Sequence, residues 1–214
     1  MKLFVTLLSA PLVAVIARAL MTPQYQDKAD QLDTTRYLNA LADASARNDL
    51  GALLATASAV LYVATALSLA RIARNRLGTV GAALSVVGAF GIFAVAVFAM
   101  VAGRLAQESD RAAAAALLER LNNAPVFASF VLALLIGAIG SVLLGIGLFR
   151  SRRVPRAAAL VAGIGGAGLM LTAPGPLVSF VVGAAILALI GLLWVALGAT
   201  QETEQSESVA VGTL

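Results

Sequence analysis

Cysteine and histidine are both absent from this chain. Their absence excludes disulfides, thiolate nucleophiles, Cys/His zinc or iron-sulfur sites and histidine-ligated haem. It also removes the imidazole proton shuttle, because no other side chain titrates near neutrality without a perturbed environment. Charge is scarce as well. Only 12% of the 214 residues are charged while 60% are hydrophobic, and the mean hydropathy is +0.93. A soluble domain would need far more charge on its surface, so the solvent of this chain is mostly lipid.

The net charge of +4 and a pI near 10.1 do not point to nucleic acid, because the arginines lie in short tracts beside apolar runs, where they orient a membrane protein. About 20 apolar residues are needed to cross a hydrocarbon core of about 30 Å. Uncharged windows run from Leu50 to Ala70, Leu77 to Gly103, Leu121 to Phe149 and Ala157 to Gln201. The last is too long for one crossing and contains Ala173-Pro174-Gly175-Pro176, where two prolines around a glycine favour a turn. With an apolar N-terminal stretch, these windows predict an all-α, polytopic transmembrane helical bundle over residues 1–200. Its six spans lie near 3–21, 50–70, 78–103, 124–149, 157–172 and 177–199. Residues 201–214, with Glu202, Glu204 and Glu207 and no basic residue, read as an acidic, unstructured tail.

The first apolar stretch has two readings. Lys2, the run Leu3 to Ala17 and the small-x-small sequence Ala17-Arg18-Ala19 have the form of a signal peptide. A retained first span is the reading adopted, since Pro11 interrupts the run and apolar character continues through Leu20 and Met21. Arg71, Arg74 and Arg76 fill one short connection, and Arg150, Arg152, Arg153 and Arg156 fill another, with no acids among them. Both connections are expected on the cytoplasmic side, as are both chain ends, in a bacterial inner membrane. These seven arginines are also candidate contacts for anionic lipid headgroups, at about 1 kcal/mol each near a charged surface. The longer loops then lie outside. Leu32, Leu38 and Leu41 beside Tyr37 give one an amphipathic helical pattern, and Ala112 to Ala116 with Leu117 and Leu118 give the other strong helix propensity. Asp27, Asp30 and Asp33 form an acidic face in the first of these loops.

Several motifs are present in letter only. Gly163-Ile164-Gly165-Gly166-Ala167-Gly168 spells G-x-G-x-x-G, but no strand precedes it and no acid follows before Glu202, so helix packing explains it better than a dinucleotide. The same packing reading covers the small pairs Gly81/Ser85, Ser141/Gly145, Ala162/Gly166 and Ala184/Ala188, inside one chain or between copies. Thr79-Val80-Gly81 lacks the aromatic and second glycine of a potassium filter. Neither a P-loop nor a G-x-S-x-G elbow occurs.

A buried charge within a span costs about 2.5–3.5 kcal/mol on insertion scales and usually marks a functional site. Arg18 is the nearest case, and its long stem can reach the headgroups. The remaining polar groups are weak, among them Thr56, Ser68, Ser129 and Ser179, and are expected to bond their own helix backbones. Ser58, Tyr62 and Thr65 share one helix face and form a candidate polar crevice. Trp194, Phe149 and Phe127 sit near span ends, as interfacial aromatics do.

The stretch Phe149-Arg150-Ser151-Arg152-Arg153-Val154-Pro155-Arg156 leads directly into a glycine-rich span. It resembles the aromatic-Arg-Ser-Arg-x-Val-Pro-Arg loop of a bacterial family of six-span membrane proteins of unassigned function. Arg47-Asn48-Asp49-Leu50-Gly51-Ala52-Leu53-Leu54 is similar to a second recurrent stretch of that family. The resemblance implies a six-span fold and no activity, so no catalytic residue follows from it. The residues thus predict no enzyme, no cofactor and no metal, with lipids as partners. A protein partner or second copy is expected through the small-residue faces. The leading expectation is a non-enzymatic scaffold, accessory or sensory protein; the alternative is a channel or facilitator for a neutral or lipophilic solute.

Overall fold

The computed structural model describes residues 2–21, 33–172 and 178–211, and the described elements are all helices. In chain order they are α1 (Lys2–Met21), α2 (Thr34–Asp43), α3 (Ser45–Ala73), α4 (Arg76–Leu105), α5 (Arg111–Asn122), α6 (Pro125–Ser151), α7 (Arg156–Thr172) and α8 (Val178–Val211). Five of them, α1, α3, α4, α6 and α8, are long and apolar enough to cross a membrane. The sixth expected span, α7, has 17 residues, about 26 Å of helix. The expected turn at Ala173–Pro176, the carboxylates Asp27 and Asp30, and Leu32 lie outside the described residues.

The six apolar helices form a closed ring in chain order. Each packs on its neighbour along the chain, α8 returns to pack on α1, and α3 also reaches α6 across the middle. The most extensive contact, α4 on α6, follows from glycine. A Cβ built on Gly81 would lie 2.5 Å from the Leu144 nitrogen, and one on Gly140 would lie 2.5 Å from the Ser85 nitrogen. Without side chains there, the two backbones touch, which is how helices associate where lipid supplies no hydrophobic drive. The glycines of α7 are used likewise: Gly163 meets Gly145 of α6, and Gly165 meets Ala188 of α8. The G-x-G-x-x-G sequence is therefore a packing surface, and the small-residue pairs serve contacts inside the chain. Large apolar side chains such as Val60, Phe90, Ile164 and Phe180 face outward, as a lipid-solvated ring requires.

At one end, α2 and α5 close the bundle. Asp33 caps α2 by accepting from the Thr35 and Arg36 backbone nitrogens at 2.9 and 3.2 Å, and Asp110 caps α5 by accepting from Ala113 N at 3.0 Å. Their apolar sides, Leu38, Leu41, Ala114 and Leu118, join Ala102 and Ala106 at the end of α4 in one cluster. Asn48, only 2% exposed, donates to the Ala99 carbonyl at 3.2 Å and ties the start of α3 to α4. The neighbouring Asp49 pairs with Arg104 at 3.6 Å.

The opposite end carries both arginine tracts. Asn75 caps α4 by accepting from Gly78 N at 2.9 Å and donates to the Gly147 carbonyl of α6 at 2.8 Å. The α3–α4 connection is thereby held against the last turns of α6. Arg74 and Arg152 end α3 and α6 in the left-handed region, at φ of 48° and 57°, where non-glycine residues cost about 1–2 kcal/mol. Beyond this end, α8 runs on past its expected stop near Ala199 to Val211. The segment read as an unstructured tail is thus helical that far, because glutamate and glutamine continue a helix readily and no glycine interrupts before Gly212.

Candidate functional site

Among the described residues, two cavities stand out in the interior of the ring. One, of about 60 Å³, lies in the capped half between α1, α3 and α4, with Ala14, Arg18, Ser58 and Val95 in its wall. The other, of about 30 Å³, lies in the half nearer the arginines, with Thr65, Ser141, Gly163 and Leu192 in its wall. Pro11, Tyr62 and Leu169 line both. The two spaces follow one another along the ring interior, with Tyr62 in the wall of each.

Local chemistry fixes that side chain. The phenolic oxygen of Tyr62 lies 2.7 Å from Ser141 Oγ, a bond from α3 to α6 across the ring. Ser141 Oγ also donates to the Gly137 carbonyl one turn back at 3.0 Å. Gly166 of α7 makes room for the pair, since a Cβ there would meet Ser141 Oγ and the Tyr62 hydroxyl at 3.3 Å each. Met170, fully buried, fills the space beside Gly88 and Gly137.

The other two residues of the expected crevice fall on either side of this point. Ser58, buried, donates to the Ala55 carbonyl of its own helix at 2.7 Å. Thr65 lies 2.8 Å from the Thr6 carbonyl of α1 and 3.0 Å from the Leu61 carbonyl. The bond to α1 lies close to Pro11, which has no N–H for the carbonyl of Leu7. Thr65 bonds the preceding carbonyl, that of Thr6, beside the one Pro11 leaves without a helix donor. The structure thus brings Ser58, Tyr62 and Thr65 to the ring interior as a sequence of three oxygens rather than to a single pocket. Sequence reasoning missed the partner, Ser141, whose spacing from Gly145 had marked it only as a packing residue. Thr56, Ser68 and Ser129 bond carbonyls of their own helices, and the Ser179 side chain lies outside the described residues.

The seven arginines stand apart from the cavities. Six are exposed at the uncapped end and Arg153 is half-buried. Arg156 lies over the Phe149 ring at 5.2 Å, a cation–π contact. Ser151 donates to the Leu148 carbonyl at 2.7 Å, and Pro155 fits against Gly198 of α8. The loop that carried the family resemblance therefore locks α6, α7 and α8 together. At the capped end Arg18 reaches toward Tyr37 of α2, whose hydroxyl pKa is raised by burial and drawn partly back by the Arg18 charge.

Comparison with known families gives one match: residues 5–203 fit the family described as "Domain of unknown function (DUF4386)". The chain belongs to the DUF4386 family. Comparisons with curated proteins and with solved structures gave no match. In this DUF4386 chain the two stretches that carried the resemblance have different tasks, the Arg47–Leu54 stretch seating α3 against α4 and the Phe149–Arg156 loop seating α6 against α7 and α8.

Proposed function

We propose that this DUF4386 protein is a non-enzymatic facilitator for small neutral solutes in the bacterial plasma membrane, with the arginine end in the cytoplasm. The observation that carries the reading is the pair of cavities in the ring interior that share Tyr62 as a wall residue. A water needs about 10–15 Å³ of such space, so volumes of about 30 and 60 Å³ suit molecules of a few heavy atoms. Coupled transport has little support, because it draws on carboxylates or lysines within the spans, and the linings contain neither. The arginine orientation is supported by the positive-inside rule.

The test is stopped-flow swelling of proteoliposomes with urea or glycerol outside. Protein-dependent acceleration supports facilitation. Rates equal to protein-free vesicles would leave a second reading in place, a scaffold, accessory or sensory protein. That reading draws on the cap, which buries one side of α5 and turns Glu119 and Arg120 outward. A protein partner or second copy would use such a surface or the lipid-facing ring, since the small-residue faces are filled within the chain.

A further inference from the structure

The four hydroxyls along the ring interior can be assigned proton by proton, and the assignment names a solute class. A hydroxyl has one proton and two lone pairs. The Ser58 proton goes to the Ala55 carbonyl at 2.7 Å. The Thr65 proton goes to the carbonyls of Thr6 and Leu61, and the Ser141 proton to that of Gly137 at 3.0 Å. Either oxygen of the 2.7 Å contact between Ser141 and Tyr62 could donate; with the Ser141 proton on Gly137, both hydroxyls are satisfied when the phenol donates. Each proton is committed inside the protein. What remains on the oxygens of Ser58 beside the first cavity, Tyr62 beside both, and Ser141 and Thr65 beside the second is lone pairs.

From this we infer that the path selects neutral solutes bearing O–H or N–H donors, such as small amides and alcohols, over acceptor-only molecules of the same size. The inference rests on the facilitator reading and specifies its substrate. A donor finds acceptors spaced along the whole interior. Of the two cavities only the first is bordered by Arg18, whose guanidinium carries N–H donors; in the second an acceptor-only solute meets lone pairs with lone pairs, and must break a protein hydrogen bond to be satisfied. Cations, which also seek lone pairs, are opposed by the Arg18 charge in the first cavity and find no carboxylate in either lining. Tyr62 is the specificity-determining residue, because it borders both cavities and its oxygen bonds Ser141.

The experiment compares three solutes of equal heavy-atom count in the same proteoliposomes: urea and acetamide, which donate, and dimethyl sulfoxide, which only accepts. The protein-dependent permeability to urea and acetamide is expected to exceed that to dimethyl sulfoxide by about tenfold or more, the factor for one unmatched hydrogen bond. Tyr62→Phe is expected to reduce this ratio. Equal protein-dependent permeability to all three would overturn donor selection and leave facilitation standing. No protein-dependent permeability to any of the three would overturn both. A second readout uses the cysteine-free background. Ser58→Cys is expected to react with a small membrane-impermeant thiol reagent from the capped side and Thr65→Cys from the arginine side. Reaction of both from one side in the Tyr62 protein would remove Tyr62 as the division between the cavities.

Discussion

Tyr62 and Ser141, 79 positions apart in sequence, share a 2.7 Å hydrogen bond that joins α3 to α6 through the centre of the ring. Nearly every other side-chain hydroxyl within the described spans serves its own helix, so this bond is a tertiary tie made at the point where two cavities meet.

Its strength is open to measurement. Interhelical hydrogen bonds in membranes average about 0.6 kcal/mol and reach about 1.7 kcal/mol. A double-mutant cycle with Tyr62→Phe and Ser141→Ala, read by thermal unfolding in detergent through Trp194 fluorescence, is expected to give a coupling in that range. A coupling indistinguishable from zero would mean the two oxygens do not bond in the membrane.

Glycine substitutions should divide sharply by position. Gly81→Val and Gly140→Val press a Cβ into facing backbone at 2.5 Å, and are expected to cost about 1–3 kcal/mol or more, despite the helix propensity gained. Gly183 has nothing within 4 Å of its Cβ position, so Gly183→Ala is expected to be neutral or to stabilise by up to about 1 kcal/mol. Equal losses at all three sites in the same unfolding assay would contradict the α4–α6 contact.

Alkaline titration probes the cap. Burial raises the Tyr37 pKa above its usual 10.0 and Arg18 lowers it. Because the folded state holds this proton more tightly than the unfolded chain, the contribution to stability is fully present below pH about 10 and is lost as pH rises through the folded value. The ultraviolet phenolate signal that disappears in Tyr37→Phe should appear at higher pH in Arg18→Gln than in the parent protein. No displacement would place Arg18 out of range of α2.

Topology gives the plainest test. Cytoplasm-active reporters inserted in the Arg74–Arg76 and Ser151–Val154 connections should both be active, and one in the loop between α4 and α5 should be silent. Activity in only one of the two arginine connections would break the ring, since Asn75 bonds α6 at 2.8 Å.

The helices were largely legible from composition, because lipid forces each backbone polar group to be satisfied within its own segment and so converts every long apolar run into a helix. Misreadings occurred where that pressure fades. Past Ala199 the acidic segment looked unstructured by charge, yet it continues the helix begun in the apolar part. The crevice was legible in half: a spacing of three to four residues placed Ser58, Tyr62 and Thr65 on one face of α3, but nothing in that spacing names Ser141 or Pro11 on other helices.

By itself the sequence determined a helical membrane protein with arginines gathered in two tracts and no cysteine or histidine chemistry, since solvent and side-chain inventory decide those matters locally. Only the tertiary structure decided where the small residues are spent. A glycine lets a neighbouring backbone approach from any helix, and its own flanking residues do not encode which one arrives. That Gly81 and Gly140 meet across α4 and α6, that Gly166 leaves room for a tyrosine bonded to a serine, and that α8 closes on α1 are properties of the assembled ring.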